Sequence, residues 1–282
     1  MWAVIGGSGF EKFDGFEVVE NLNCETPYGL ASSGLKKVRV AGKELLFLSR
    51  HGERHELLPT EINYPANIFA LKKYGARAVL SFSAVGSLRT ELEPEHLVIP
   101  LQYIDRTKGI RRHTFCGNGM VGHMSLAHPV CATAARKIGR LAGAEKIPVH
   151  VTGTYVCIEG PNFSTYAESQ SYRDLGGDII GMTNFPEYSL AREAGLSYLP
   201  CCFVTDYDCW DTSRPHVTLE EVIQVMRRNN SKAFTVLKQV LDASEDILLD
   251  CDCASQGLKM GMMTPKELLS QEQKAALEVL LS

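Results

Sequence analysis

The sequence predicts a single α/β domain. Short apolar runs of strand length alternate with helical segments almost to the end of the chain. No internal repeat, low-complexity tract or Pro/Gly/Ser linker separates these pieces, and residues 1–282 read as one domain with a helical C-terminal extension from about 250 to 282. With 45% apolar and 22% charged residues, the chain has the core material of an ordinary globular protein.

Taken in order, Trp2–Ile5 is an apolar strand that runs into Gly6-Gly-Ser-Gly9. Val38–Val40 and Leu45–Leu48 flank Ala41-Gly42, a hairpin pattern. Pro65 opens a helix that Gly75 stops. Ala78–Ser83 and His96–Leu101 read as strands, and Val130–Leu141 as a helix ending at Gly143. Tyr155–Ile158 is a strand, and Thr165-Tyr-Ala-Glu168 has capping-box spacing for a helix reaching Leu175. Asp178–Gly181 is the next strand, followed by a helix from Pro186 to Gly195. Leu199–Val204 is an apolar run of buried-strand type. Thr218 caps a long helix toward Ile247, and Thr264 caps the last helix.

Composition excludes several classes. A net charge of −4 offers no basic field, so nucleic-acid binding is not expected. No apolar stretch approaches membrane-spanning length, and the first residues lack a charged region followed by a cleavage site, which makes a cytoplasmic location the expectation. The nine cysteines are odd in number and mostly lie in apolar runs, where cysteine serves as a small core residue. Cys251-Asp-Cys253 is the one pair to weigh. Zinc would need further ligands and none follow, so no metal is expected; a redox pair is the alternative to two plain thiols.

Chemistry concentrates at strand ends, the ligand position of open α/β sheets. Gly7-Ser8-Gly9 can wrap an anion with N–H groups and a hydroxyl, or be a plain tight turn. Lys12 replaces the third glycine of a dinucleotide fingerprint, and no GKS or GKT follows to make a P-loop. Arg50 and His51 carry a guanidinium fork and an imidazole suited to phosphate, although taken alone a surface turn is the commoner reading of such a pair. Ser83-Ala84 and Met182-Thr183 add hydroxyls at two more strand ends. Asp206 and Asp208 follow the apolar run, and alternate residues of an extended segment share a side, so both acids can face one ligand. An Asp-rich turn capping the next helix is the competing reading.

Together, Ile5-Gly-Gly-Ser-Gly9, Ser49-Arg-His-Gly52, Asn63-Tyr-Pro-Ala-Asn67, Ser83-Ala-Val-Gly-Ser-Leu88, Ile158-Glu-Gly-Pro-Asn-Phe163, Gly181-Met-Thr-Asn-Phe-Pro-Glu187 and Thr205-Asp-Tyr-Asp-Cys-Trp210 resemble the nucleoside phosphorylase family that has trimeric members, in particular its branch acting on S-methyl-5′-thioadenosine. The resemblance spans roughly residues 2 to 237. It implies a mixed central sheet flanked by helices and a homotrimer that takes a purine nucleoside and inorganic phosphate as co-substrate, with no cofactor. Ser8, Arg50, His51, Ser83, Ala84 and Thr183 would hold phosphate. Met182 would pack on ribose, Phe163 and Ser164 would lie beside the base, and Asp206, Tyr207 and Asp208 would form the purine end. Asp206 would protonate N7 as the catalytic acid, while Leu219, Val222 and Ile223 would line an apolar 5′ pocket. Ser8 and Ser83 stand where relatives commonly carry threonine, and Asn162 and Asn184-Phe185 also depart from the pattern. A broader purine nucleoside phosphorylase and a non-catalytic nucleoside-binding protein are the alternatives.

Overall fold

The structure is a computed structural model describing all residues except 11, 12, 14, 33 and 214–218, and omitting the side chains of 219 and 254. The Lys12 position, His216, Val217 and the Thr218 cap therefore lie outside the described residues, as does the Leu219 side chain.

The elements follow one another as β1 (Trp2–Gly6), β2 (Glu17–Asn21), β3 (Glu25–Thr26), β4 (Gly29–Leu30), β5 (Lys36–Val40), β6 (Lys43–Ser49), α1 (Tyr64–Lys73), β7 (Ala78–Ser87), β8 (Leu97–Val98), β9 (Gln102–Arg106), α2 (Ala132–Ala144), β10 (Val149–His150), β11 (Thr154–Ile158), α3 (Tyr166–Asp174), β12 (Ile179–Gly181), α4 (Asn184–Glu193), β13 (Ser197–Tyr207), α5 (Leu219–Asp242), α6 (Ser244–Leu248), α7 (Leu258–Gly261) and α8 (Gln271–Leu281). Eleven strands form one mixed sheet whose main path is β10-β8-β13-β7-β1-β6-β5-β2. Its centre, β13-β7-β1-β6, is parallel. β12 pairs with the far end of β7 in the antiparallel sense, and β11 and β9 extend that branch.

Both faces of the sheet are covered, which explains why its central strands read as continuous apolar runs. Along β1, Trp2 and Val4 join one core with α2 and α5, while Ala3 and Ile5 join a second core with α1, α4 and α8. Helix starts follow local chemistry. Asn63 accepts from the Ala66 N–H at the start of α1, and Thr165 with Glu168 forms the predicted capping box of α3.

Two expectations are corrected. Thr264 does not cap the last helix: Ser270 and Gln273 form that box, and Thr264 instead accepts from the Val121 N–H at 2.8 Å. The long helix stops at Asp242, and α6 follows as a separate piece.

The feature that matters most for the site is a bulge in β13. Val204 pairs with Val85, but Asp206 pairs with Gly86, so Thr205 is the extra residue. Such an insertion bends the strand and re-aims the side chains after it.

Candidate functional site

The loop after β1 turns so tightly that side chains are excluded. Phe10 N–H bonds the Gly7 carbonyl at 2.8 Å, and a Cβ on Gly7 would stand 2.3 Å from Arg50 Nη1. Glycine is required there because the Arg50 guanidinium lies against the backbone. Ser8 sits half-buried at the tip of this loop.

Arg50 is fully buried, and its fork is already engaged: Nε and Nη2 donate to the two carboxylate oxygens of Glu187, both at 2.8 Å. Nη2 also donates to Ser81 Oγ at 2.6 Å, and Nη1 to the Phe82 carbonyl at 3.1 Å. This corrects the expectation of a fork free for phosphate: one Nη1 N–H beside Gly7 is what remains for an anion. Burial works against the charge, but the Glu187 carboxylate more than compensates and holds the Arg50 pKa above its ordinary value. Tyr198 donates to Glu187 Oε2 at 2.7 Å and completes the network.

His51, nearly buried, places Nδ1 2.9 Å from the Leu57 carbonyl, and its ring stacks on His55 at 4.6 Å. A carbonyl only accepts, so Nδ1 carries the hydrogen. Nε2 can then accept from a protonated phosphate oxygen, or donate once the ring is cationic.

Ser83 Oγ accepts from Asn184 Nδ2 at 3.1 Å, which leaves its own proton to donate. Asn184 is fixed in turn by the Tyr103 hydroxyl, which donates to its Oδ1 at 3.2 Å. Thr183 is the N-cap of α4 and its hydroxyl makes no capping bond. Ser8, Arg50, His51, Ser83, Ala84 and Thr183 thus surround the C-terminal ends of β1 and β6, the middle of β7 and the start of α4. The regular turns of α4 begin only after Phe185 (φ −98°, ψ 133°), so the hydroxyls and loop N–H groups, not a helix N-terminus at Thr183, offer the seat for an oxyanion.

The carboxylates stand farther along β7. Gly86 lies three residues beyond Ser83, about 10 Å along the strand. Asp206 Oδ1 and Asp208 Cβ would lie 3.4 and 3.5 Å from a Cβ at Gly86, so both acids gather over this glycine. Asp206 falls inside β13, and only Asp208 lies past its end. Burial pushes the Asp206 carboxyl above its ordinary range; a bond to Thr205 opposes this, and the Asp208 charge adds to the rise. Asp208 is also pushed up by burial, against hydrogen bonding from Ser169.

Asp208 Oδ2, Ser164 Oγ and Ser169 Oγ are all buried without a hydrogen bond of regular geometry, and the two hydroxyls face the Asp208 carboxyl itself. The loop carrying Ser164 is tied to this end, because Cys209 Sγ donates to the Ser164 carbonyl at 3.3 Å.

Other expected residues are placed less directly. Phe163 is 84% exposed, and its ring stacks on no aromatic ring among the described residues. Tyr207 alternates with the two acids, and its hydroxyl donates to the Thr90 carbonyl at 3.1 Å, not into their site. Met182 is half-buried against Gly160. Val222 is half-buried at the start of α5, whose next turn lays Met226 over Gly9, while Ile223 is 42% exposed and turned outward.

Sequence reading missed the groups that hold these in place. Glu187 was within reach, as the last residue of the Gly181–Glu187 run. Arg111 gave no signal: it donates to Glu159 Oε1 at 2.6 Å and to the Met182 and Phe185 carbonyls at 2.7 and 2.8 Å, fastening the segment that carries Met182 and Thr183.

The profile of the Phosphorylase superfamily matches residues 2–242. The S-methyl-5′-thioadenosine phosphorylase of Geobacter sulfurreducens is 42% identical over 99% of this chain and 96% of its own. That of Rhodospirillum rubrum is 46% identical over 83% and 80%. Among solved structures, a methylthioadenosine phosphorylase from an antarctic soil metagenomic library superposes with a TM-score of 0.91 at 41% identity, covering 100% of this chain and 98% of its own. The methylthioadenosine phosphorylase of Schistosoma mansoni in complex with adenine gives 0.84 at 32% identity, covering 95% and 99%.

Proposed function

This chain belongs to the phosphorylase superfamily, and from that membership we propose that it cleaves the N-glycosidic bond of S-methyl-5′-thioadenosine with inorganic phosphate, giving adenine and 5-methylthioribose 1-phosphate. The observation that carries the proposal is a pair of buried acids with raised pKa values over Gly86, about 10 Å along β7 from a built oxyanion seat. That spacing suits one nucleoside laid between them.

In this reading, Ser8, His51, Ser83, the Ala84 backbone, Thr183 and the remaining Arg50 N–H hold phosphate beneath C1′. As the C1′–N9 bond breaks, positive charge gathers on the sugar and negative charge on the purine. Phosphate stabilises the first and forms the new C1′–O bond. Protonated Asp206 delivers its proton to N7 and relieves the second; a dry site that keeps it protonated closer to neutrality makes this an effective acid, worth about 10²–10⁴-fold. Asp208 accepts from the 6-amino group. Phe163 and Ser164 flank the base, Tyr207 supports the purine end, and Met182 lies on ribose. Leu219, Val222 and Ile223 belong to the region of the 5′ group. We further take the enzyme to be a cytoplasmic homotrimer serving purine and methionine salvage without a cofactor.

The test is adenine release from methylthioadenosine with and without phosphate, beside adenosine, inosine and methylthioinosine. Release that needs phosphate and favours the 6-aminopurines is expected. No release from methylthioadenosine at saturating phosphate would overturn the reading.

A further inference from the structure

Outside this site, the thiols of Cys131, Cys251 and Cys253 come together. Their sulfurs all lie within 4.8 Å of one another, although the first is far from the others in sequence. Each belongs to a different local structure. Cys131 is the N-cap of the thirteen-residue α2 and makes no capping bond. Cys251 follows α6, and Cys253 opens a short 3₁₀ turn. Cys253 is buried and Cys251 half-buried.

A second observation points to the same place. Ser197, at the start of β13, is 1% exposed, and its hydroxyl has no hydrogen-bond partner of regular geometry yet faces the Cys251 thiol. The buried Arg192 guanidinium stands near Cys253, anchored by a 2.6 Å bond from Nη2 to the His128 carbonyl.

We propose that Cys131, Cys251 and Cys253 form a three-thiolate site for one zinc ion, with the Ser197 side supplying an oxygen or a water in the fourth position. Tetrahedral zinc with Zn–S bonds of about 2.3 Å sets its sulfurs about 3.8 Å apart, a contraction of at most about 1 Å from the present spacing. Thiolates favour soft d¹⁰ cations. Three thiolates with Zn²⁺ leave one negative charge to be held beside the Arg192 cation, whereas copper(I) would leave two. Binding replaces three S–H bonds by three S–Zn bonds and releases three protons, so uptake weakens as pH falls. The ion would clip the C-terminal segment to the start of α2 and the beginning of β13. The expectation of no metal rested on the absence of ligands following the Cys251–Cys253 pair; the third ligand precedes it, brought in by the fold.

The test titrates the reduced, metal-stripped full chain with zinc against a chromophoric chelator, and with cadmium as a spectroscopic probe. One equivalent per chain is expected, with a sulfur-to-cadmium charge-transfer band saturating at the same point and a higher Tm in the zinc-loaded protein. Cys131→Ser, Cys251→Ser and Cys253→Ser should each weaken binding at least about a hundredfold, beyond the about 10–100-fold cost of losing an outer-shell partner, with Cys24→Ser as an unchanged control. Absence of the band in the reduced wild type, a band surviving the three single variants, or a Cys251–Cys253 disulfide whose reduction yields no uptake would overturn the proposal. The wild-type titration decides even if a variant fails to fold.

Discussion

Thr205 Oγ1 lies 2.6 Å from Asp206 Oδ2 and 3.2 Å from the Val85 carbonyl oxygen. One hydroxyl proton cannot serve both. When Asp206 is ionised, Thr205 donates to it. When Asp206 is protonated, the acid can donate to Thr205, which then donates to Val85. The bulge residue of β13 thus satisfies both states of the acid that the mechanism needs. Thr205→Val keeps the shape and removes the bond that favours ionisation, so the Asp206 pKa should rise further. The alkaline limb of the kcat/KM–pH profile should move to higher pH; a limb that stays in place would detach Thr205 from the acid.

Glu187 neutralises a fully buried guanidinium. Glu187→Gln leaves the Arg50 charge uncompensated, a change of the kind that costs about 3–5 kcal/mol. Urea unfolding should show that loss, and phosphate KM should rise because Arg50 Nη1 loses its fixed position. A loss under about 1 kcal/mol would mean that the pair contributes little.

Ser83 should act on phosphate more than on nucleoside. A hydrogen bond to a charged group is worth about 1.5–3 kcal/mol, so Ser83→Ala should raise phosphate KM by about 10–100-fold. Initial rates at varied phosphate measure this. An unchanged phosphate KM would remove Ser83 from the anion seat.

The raised pKa of Asp206 also has a stability consequence. Between the ordinary 3.8 and the raised folded value, the folded state holds a proton that the unfolded state has lost. Stability therefore falls as pH climbs through that window, and at neutral pH the folded state bears the whole cost of ionising a buried acid. Asp206→Asn should stabilise the protein at pH 7, by less at pH 5, and not at all below 3.8. Urea midpoints across this range check the sign; a variant destabilised at pH 7 would contradict it.

Part of this site was legible in the sequence because apolar runs break into Gly, Ser, Asp or Arg-His, although β7 runs on past Ser83 to Ser87 and β13 includes Asp206. Asp206 and Asp208 were read as sharing one side past the strand; Asp206 instead lies inside β13, and both acids stand near Gly86. The Arg50 fork was misjudged: its partner Glu187 is on α4, and pairing between distant elements leaves no periodicity. The same reason hid Arg111, Asn184 and the third thiol of the Cys251–Cys253 cluster. The last cap was misplaced because Thr264-x-x-Glu267 and Ser270-x-x-Gln273 carry the same spacing, and only the second precedes a full helix.

The central claim is that the acid at position 206 protonates purine N7. The direct measurement is kcat/KM for methylthioadenosine, with phosphate KM alongside, in Asp206→Asn and the wild type. The expected result is a fall of about 10²–10⁴-fold in kcat/KM with phosphate KM nearly unchanged. Full activity in Asp206→Asn would contradict the account.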